Sequence, residues 1–406
     1  MTKIIRHKLS SVLCLPLALS LSIPSFTADA GSREQAKRIH DRLVGTPPSA
    51  TCLDQLANEI DTNGAVSAAL DAIDDDGTGD ECTDPSFYNV TLKNFVTPWT
   101  NEQQTVFAPL NDYTATVIGL VRDEADFKTA LYDDVLYVGS SGLGLPAYSN
   151  ANNNHYEALE NQGIDLRQNL VRTTQSAVTG IASNATSGVI TTRAAAKAFF
   201  IDGTNRAMFR FTMLNHLCTD LEQIKDPTRP HDRVRRDVSR SPGGDSRIYM
   251  NACVGCHAGM DPLVQAYAYY EYEYDSETDP EAENGQMVFT DGEVQTKFHI
   301  NEGNFKWGYH TPDDRWDNYW REGPNAFLGW NGPSGTGEGA KSLGQELANT
   351  DAFNRCQVQK VFANVCLRDP VNSGDEAAFN DMLDNFSSTN NLKGVFAGAA
   401  AHCMGE

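Results

Sequence analysis

Positive charge is scarce in this 406-residue chain, where 32 lysines and arginines stand against 54 aspartates and glutamates. A surface of that sign repels nucleic acid and anionic lipid, so neither is expected as a partner. It suits solubility in a salty medium, or the steering of cationic proteins and small cations. Long apolar runs are missing too. Beyond residue 30 no stretch reaches the about eighteen uninterrupted apolar residues of a membrane span. Three common catalytic signatures are also absent: a phosphate-cradling glycine loop, a serine nucleophile elbow and a zinc-protease motif. The acidic run Asp74–Asp80 has calcium-loop composition without calcium-loop spacing. Aligning Gly77 with the glycine of an EF-hand puts Ala72 and Thr83 at the first and last ligand positions, which need carboxylates.

The start of the chain is the first positive signal. Lys3, Arg6 and Lys8 precede a mostly apolar stretch from Leu9 to Phe26, and Ala28-Asp29-Ala30 then forms a small-x-small cleavage site before Gly31. Pro16 and Pro24 break the stretch, so residues 1–30 read as a secretory signal peptide and not as a membrane span. Cleavage would remove Cys14 and leave 29 basic against 53 acidic side chains, a net charge of −24. The expected destination is a bacterial periplasm or the extracellular space.

Five residues carry the chemistry. Cys253-Val254-Gly255-Cys256-His257 has the spacing of a c-type haem attachment site. Two thiols three apart reach two vinyl groups of one porphyrin, and the adjoining imidazole falls beneath the iron as its proximal ligand. Covalent haem attachment normally takes place outside the bacterial cytoplasm, in agreement with export. The rival readings are a surface disulfide or half of a zinc site. Zinc usually needs a further ligand pair, and no second Cys-x-x-Cys or Cys-x-x-His occurs. Six cysteines remain: Cys52, Cys82, Cys218, Cys356, Cys366 and Cys403. In an oxidising compartment they allow three disulfides in any of fifteen pairings. Cys52 with Cys82 closes a local loop, Cys356, Cys366 and Cys403 cluster near the end, and Cys218 needs a distant partner or stays free.

Periodicity predicts a mainly α protein, a multi-helix scaffold with a small β-hairpin element, and the motif adds one covalently bound haem c. Ser32 and Gln35 form a capping box for a first helix. A second starts near Ser49 or Thr51. Further helices are expected over Thr192–Phe200, Asn205–Ile224, Asp351–Cys366, Asp375–Phe386 and Leu392–Cys403. Tyr267, Tyr270 and Tyr274 share a helical face and read as packing. Val288 and Phe289, then Val294, Thr296, Phe298 and Ile300, alternate around the turn Asp291-Gly292 as a hairpin. About 376 residues after the signal exceed a single domain of roughly 100–150. The expected division is an N-terminal helical lobe over 31–139, a Gly/Ser/Asn-rich linker or lid region over 140–187, and a haem-bearing domain over 188–406 with its hairpin insertion near 287–330.

Several stretches of residues 188–406 resemble the cytochrome-type domains of unknown function found in planctomycete and other bacterial exported proteins. They are Gly188-Val189-Ile190-Thr191-Thr192-Arg193, the helix ending Leu217-Cys218, the haem motif with Met260-Asp261-Pro262-Leu263, and the closing Leu343-Gly344, Phe353, Cys356 and Lys360. Val264 stands where that family has glycine, and Tyr274-Asp275 where it has Phe-Asp. The resemblance implies a haem c on a helical scaffold and settles no reaction.

Cys253, Cys256 and His257 are therefore the expected cofactor-binding residues, with His257 on the iron. The sixth ligand is Met287, His216, His299 or His310, or the position is open; Met213 shares a helix with His216, and Met260 falls on the proximal side. Arg229, Arg233, Arg235, Arg236 and Arg240 are either forks for haem propionates or a solvated basic patch. His155 and His231 sit in no recognisable acid–base constellation. The expected function is one-electron transfer by an exported monohaem cytochrome with a redox protein partner. The alternatives are a haem enzyme with an open distal site, its small-molecule substrate unspecified, and a partner-binding surface-assembly protein.

Overall fold

The computed structural model describes residues 31–74, 82, 84–201, 203–240, 245–301 and 303–405. The signal-peptide reading and most of the acidic run 74–80 lie outside those residues. Among the described residues the chain is mainly helical, with three two-stranded antiparallel sheets. No described helix is long and apolar enough to cross a membrane.

Helix boundaries follow local chemistry. Ser49 caps the helix Ala50–Asn63 by accepting from the Cys52 amide, and Gly64 ends it with positive φ. Thr192 caps Arg193–Phe199, and Thr350 caps Asp351–Cys366, in the same way as Ser49. The capping box expected at Ser32 does not form. Ser32 lies inside the helix Ser32–Leu43, Gly31 precedes it, and the serine hydroxyl turns to Asp61.

The helices Ser32–Leu43, Ala65–Asp74, Asp351–Cys366 and Leu392–Cys403 pack on one another, so both ends of the described chain share one core. Phe396 meets Phe87 and Phe95 edge-on at 5.3 Å, a geometry worth about 0.5–1.5 kcal/mol per pair beyond its buried area. The helix Arg206–Leu217 joins this core to the haem motif, touching both Asp351–Cys366 and the helix Val254–Val264. Its end is fastened tightly. Cys218 turns left-handed and bonds Cys356, while Lys360 and Gln357 donate to the carbonyls of Asn215 and His216.

The strands are short. β1 (Leu136–Gly139) pairs with β2 (Leu170–Thr173), and the segment between them is held in place. His155 ties that segment to β1, accepting from the Gly139 amide on Nε2 and donating from Nδ1 to the Pro146 carbonyl, while Asn150 donates to the Met287 carbonyl. The expected hairpin around Asp291-Gly292 is replaced by another pairing. β3 (Tyr270–Glu273) pairs with β4 (Gln286–Phe289), Tyr272 opposite Met287, while Thr296–His299 is a 3-10 turn. Tyr270 therefore leaves the expected helical stripe. The alternation Tyr270-Glu271-Tyr272-Glu273 buries both tyrosines on one strand face, and period 2 overrides period 3.6. β5 (Arg315–Asp317) and β6 (Thr336–Glu338) form the third pair.

Three disulfides join Cys52 to Cys82, Cys218 to Cys356, and Cys366 to Cys403, the chemistry of a non-reducing compartment. Cys218 finds the distant partner it needed, 138 residues away. Replacing both Cys218 and Cys356 with serine is expected to lower stability by about 2–5 kcal/mol, because that loop is long. Denaturant unfolding under non-reducing conditions measures it, and a loss under about 1 kcal/mol contradicts the role given to this bond.

Candidate functional site

The haem motif opens a helix. A short run through Ser246–Ile248 and the wide turn Tyr249–Cys253 lead into Val254–Val264, with Cys253 at the N-cap. Cys253 lines the cleft beside His257, whereas the Cys256 thiol turns to the Leu221 carbonyl at 3.8 Å. They are the free cysteines of the described chain, and both are half-buried. Burial pushes the Cys256 thiol up despite nearby Lys225.

The opposite side of the helix is anchored. Val254 and Ala258 join Val234 and Tyr249 in a small apolar cluster, with Cys253 and Val238 packed against it. Met260, Leu263 and Val264 enter the main core. Gly259 faces Trp320, whose indole in turn lies against Phe209 at 5.9 Å. A Cβ at Gly259 would lie 1.9 Å from Trp320 Nε1, so only glycine lets the helix settle there.

His257 occupies the rim. Its Nδ1 lies 3.0 and 3.1 Å from the two oxygens of Asp261, one turn on, and no described hydrogen bond ends on Nε2. Arg206 grips the same carboxylate as a fork, Nε to Oδ1 at 2.9 Å and Nη2 to Oδ2 at 3.1 Å. Asp261 is only 5% exposed. Burial alone would raise its pKa, but Arg206 and His257 outweigh that and hold the carboxyl well below the usual range.

Beside His257 opens a cleft of about 380 Å³, within the range of small-molecule sites, walled by Cys253, Arg206, Arg235, Val238 and Ile300 among others. Apolar side chains stand uncovered on the neighbouring segments: Met250 is 48% exposed, Ile300 55% and Trp307 68%. Arg235 is buried, donates to Asp237 at 2.8 Å and to the Lys297 carbonyl at 3.1 Å, and leaves its Nε without a partner. One thiol of the motif, a rim imidazole with one nitrogen left over, the side chains of Val238 and Ile300 and a guanidinium with a spare Nε are groups that suit a porphyrin with acidic side chains, while Cys256 lies outside the cleft lining.

The sequence-derived candidates separate cleanly. Arg229 is taken by Asp226, Arg233 by Asp317, Gln265 and the Arg315 carbonyl, and Arg236 donates to the Lys306 carbonyl. Within the arginine run, Arg235 alone is among the residues lining the cleft, joined from outside the run by Arg206. His216 is buried away from the cleft, its Nε2 on the Tyr113 hydroxyl at 2.7 Å, and burial brings its pKa down to about 3. Met213 and Met287 are buried in the main core. His299 and His310 stack at 4.1 Å on the segment whose Lys297, Ile300 and Asn301 line the cleft, and His299 Nε2 donates to the Thr311 carbonyl at 2.9 Å. His155 is committed to the backbone, and His231 packs against Tyr249. Sequence reasoning assigned no part to Asp261 or Arg206. The His-x-x-x-Asp spacing was a usable signal for the first; 55 residues separate the second from its partner, and nothing local marks it.

Gly259→Ala is expected to cost about 1–3 kcal/mol through overpacking against Trp320. Gly255→Ala, whose Cβ would meet Lys225 Cβ at 3.3 Å, should cost under about 1 kcal/mol. Thermal unfolding of the two variants checks the contrast, and equal losses would contradict it. Comparison with protein-family models, curated proteins and solved structures finds no match to the chain, so the site stands on its own residues.

Proposed function

We propose that the chain is an exported monohaem c-type cytochrome-like protein that passes single electrons to or from a redox protein partner. One observation carries the reading. Among the described residues the six cysteines outside the motif pair off as disulfides, while Cys253 and Cys256 stay free beside an imidazole whose Nδ1 is engaged by Asp261. A disulfide reading of the motif finds no support in that partition. A zinc reading lacks ligands, since no group of three or more His, Cys, Asp or Glu among the described residues is arranged to hold a metal ion.

In this reading Cys253 and Cys256 would carry the thioether bonds and His257 would offer Nε2 to the iron. Bound haem provides a one-electron couple whose potential the axial ligands and burial set. Arg206 and Arg235 supply the cationic wall for the propionates, and Val238 and Ile300 an apolar one. His216 and Met287 are buried away from the cleft, and His299 and His310 lie outside its lining, so the reading carries no further ligand from these four. The three disulfides and the basic, apolar, small-residue start of the chain support export.

Protein produced in a host with haem-attachment machinery is expected to be coloured, with a pyridine haemochrome spectrum of a haem bound by two thioethers. Cys253→Ala and Cys256→Ala should each shift that spectrum toward a single thioether. A ferric spectrum indifferent to cyanide is expected for electron relay. Colourless wild-type protein overturns the haem, and a spectrum that responds to cyanide and peroxide replaces relay with an open-site haem enzyme.

A further inference from the structure

We infer that Asp261 is a positioning residue for the iron ligand: its carboxylate, clamped by Arg206, holds the His257 ring in one tautomer and biases the haem toward its ferric state. The inference rests on the haem reading above and adds to it the device that tunes the iron.

The geometry leaves His257 little choice. Asp261 follows it by one helical turn, which stacks the carboxylate against the Nδ1 edge of the ring. An ionised carboxylate only accepts, so the proton sits on Nδ1 and the lone pair on Nε2. The same two oxygens take the Arg206 fork, which fixes the carboxylate plane and keeps it charged. Asp261 is buried and His257 is 21% exposed, so water screens the contact little.

A carbonyl acceptor would orient the ring with a dipole alone. Here a full negative charge pulls on the Nδ1 proton, gives the ring imidazolate character and makes Nε2 a stronger donor. A stronger donor stabilises the higher charge on iron, so the potential falls. Arg206 draws charge off the carboxylate and sets how far that effect runs. A merely structural Arg206–Asp261 pair, tying the helices Arg206–Leu217 and Val254–Val264 together, predicts no such influence on the iron–imidazole bond.

The test uses the full-length, haem-loaded protein. Its readouts are the midpoint potential and the strength of the iron–imidazole bond. The bond is read by resonance Raman or, in a six-coordinate ferrous protein, by the His257 Nδ1 proton resonance. Asp261→Asn is expected to favour the ferrous state by roughly tenfold, an upward shift of about 59 mV, and to weaken the bond. Asp237→Asn removes the same charge from the cleft wall, where Asp237 bonds Arg235 and not His257, and should leave the bond signature at its wild-type value. An unmoved potential and bond in Asp261→Asn overturn the inference, as does an equal bond shift in Asp237→Asn. Should Asp261→Asn not accumulate, the ferrous wild-type protein decides. A far-downfield, slowly exchanging Nδ1 proton supports the contact, and an ordinary imidazole position defeats it. Colourless wild-type protein defeats the haem reading itself, whereas coloured protein with an unmoved bond defeats only this step.

Discussion

One buried carboxylate governs the haem-motif side of the molecule. Asp261 receives the Arg206 fork from one helix and the His257 ring from its own, and no other pair of side chains described between these two helices is an ion pair. Taking an ionised carboxylate out of water costs several kcal/mol, which only well-placed partners offset. Arg206 and His257 together supply that compensation, so ring orientation, helix crossing and the charge of Asp261 form one coupled arrangement. Removal of either partner leaves a buried charge, which is more damaging than loss of an ordinary hydrogen bond.

The rest of the fold reads as support for that arrangement. Arg206 begins a helix whose far end is fixed to Asp351–Cys366 by a disulfide and by the Lys360 and Gln357 hydrogen bonds. That helix packs on Leu392–Cys403, which packs on Ala65–Asp74. A displacement at the N-terminal end of the chain therefore has a continuous packed route to Arg206. Met260, Leu263 and Val264 of the motif helix enter the same main core as the helices at both ends of the described chain.

Charge is arranged at two scales. The chain is strongly acidic overall, yet the cleft wall gathers cations, and each already has a carboxylate: Arg206 with Asp261, Arg235 with Asp237, Lys297 with Glu271. Paired cations at a cleft mouth attract incoming anions less than free ones, so long-range attraction into the cleft is weak. The long-range field belongs to the acidic remainder of the chain.

Local signals were legible in the sequence wherever a single period or a single residue type decided the outcome. The helices Asp351–Cys366 and Leu392–Cys403 match their expected limits, and Ser49 caps where its side chain and the following apolar spacing indicate. Failures occurred where two periods competed. Tyr267 and Tyr270 satisfy a helical stripe, but Tyr270 and Tyr272 also satisfy a strand, and pairing with Gln286–Phe289 decides in favour of the strand. Phe298 and Ile300 alternate as a strand would, yet they lie in and just after a 3-10 turn, with Phe298 buried and Ile300 left at the cleft. The site divides the same way. Cys253, Cys256 and His257 announce themselves by spacing, because the Cys-x-x-Cys-His pattern is local. Arg206 does not, because the property that matters is a distance across two helices, and that distance exists only after Gly259 has let one of them settle against Trp320.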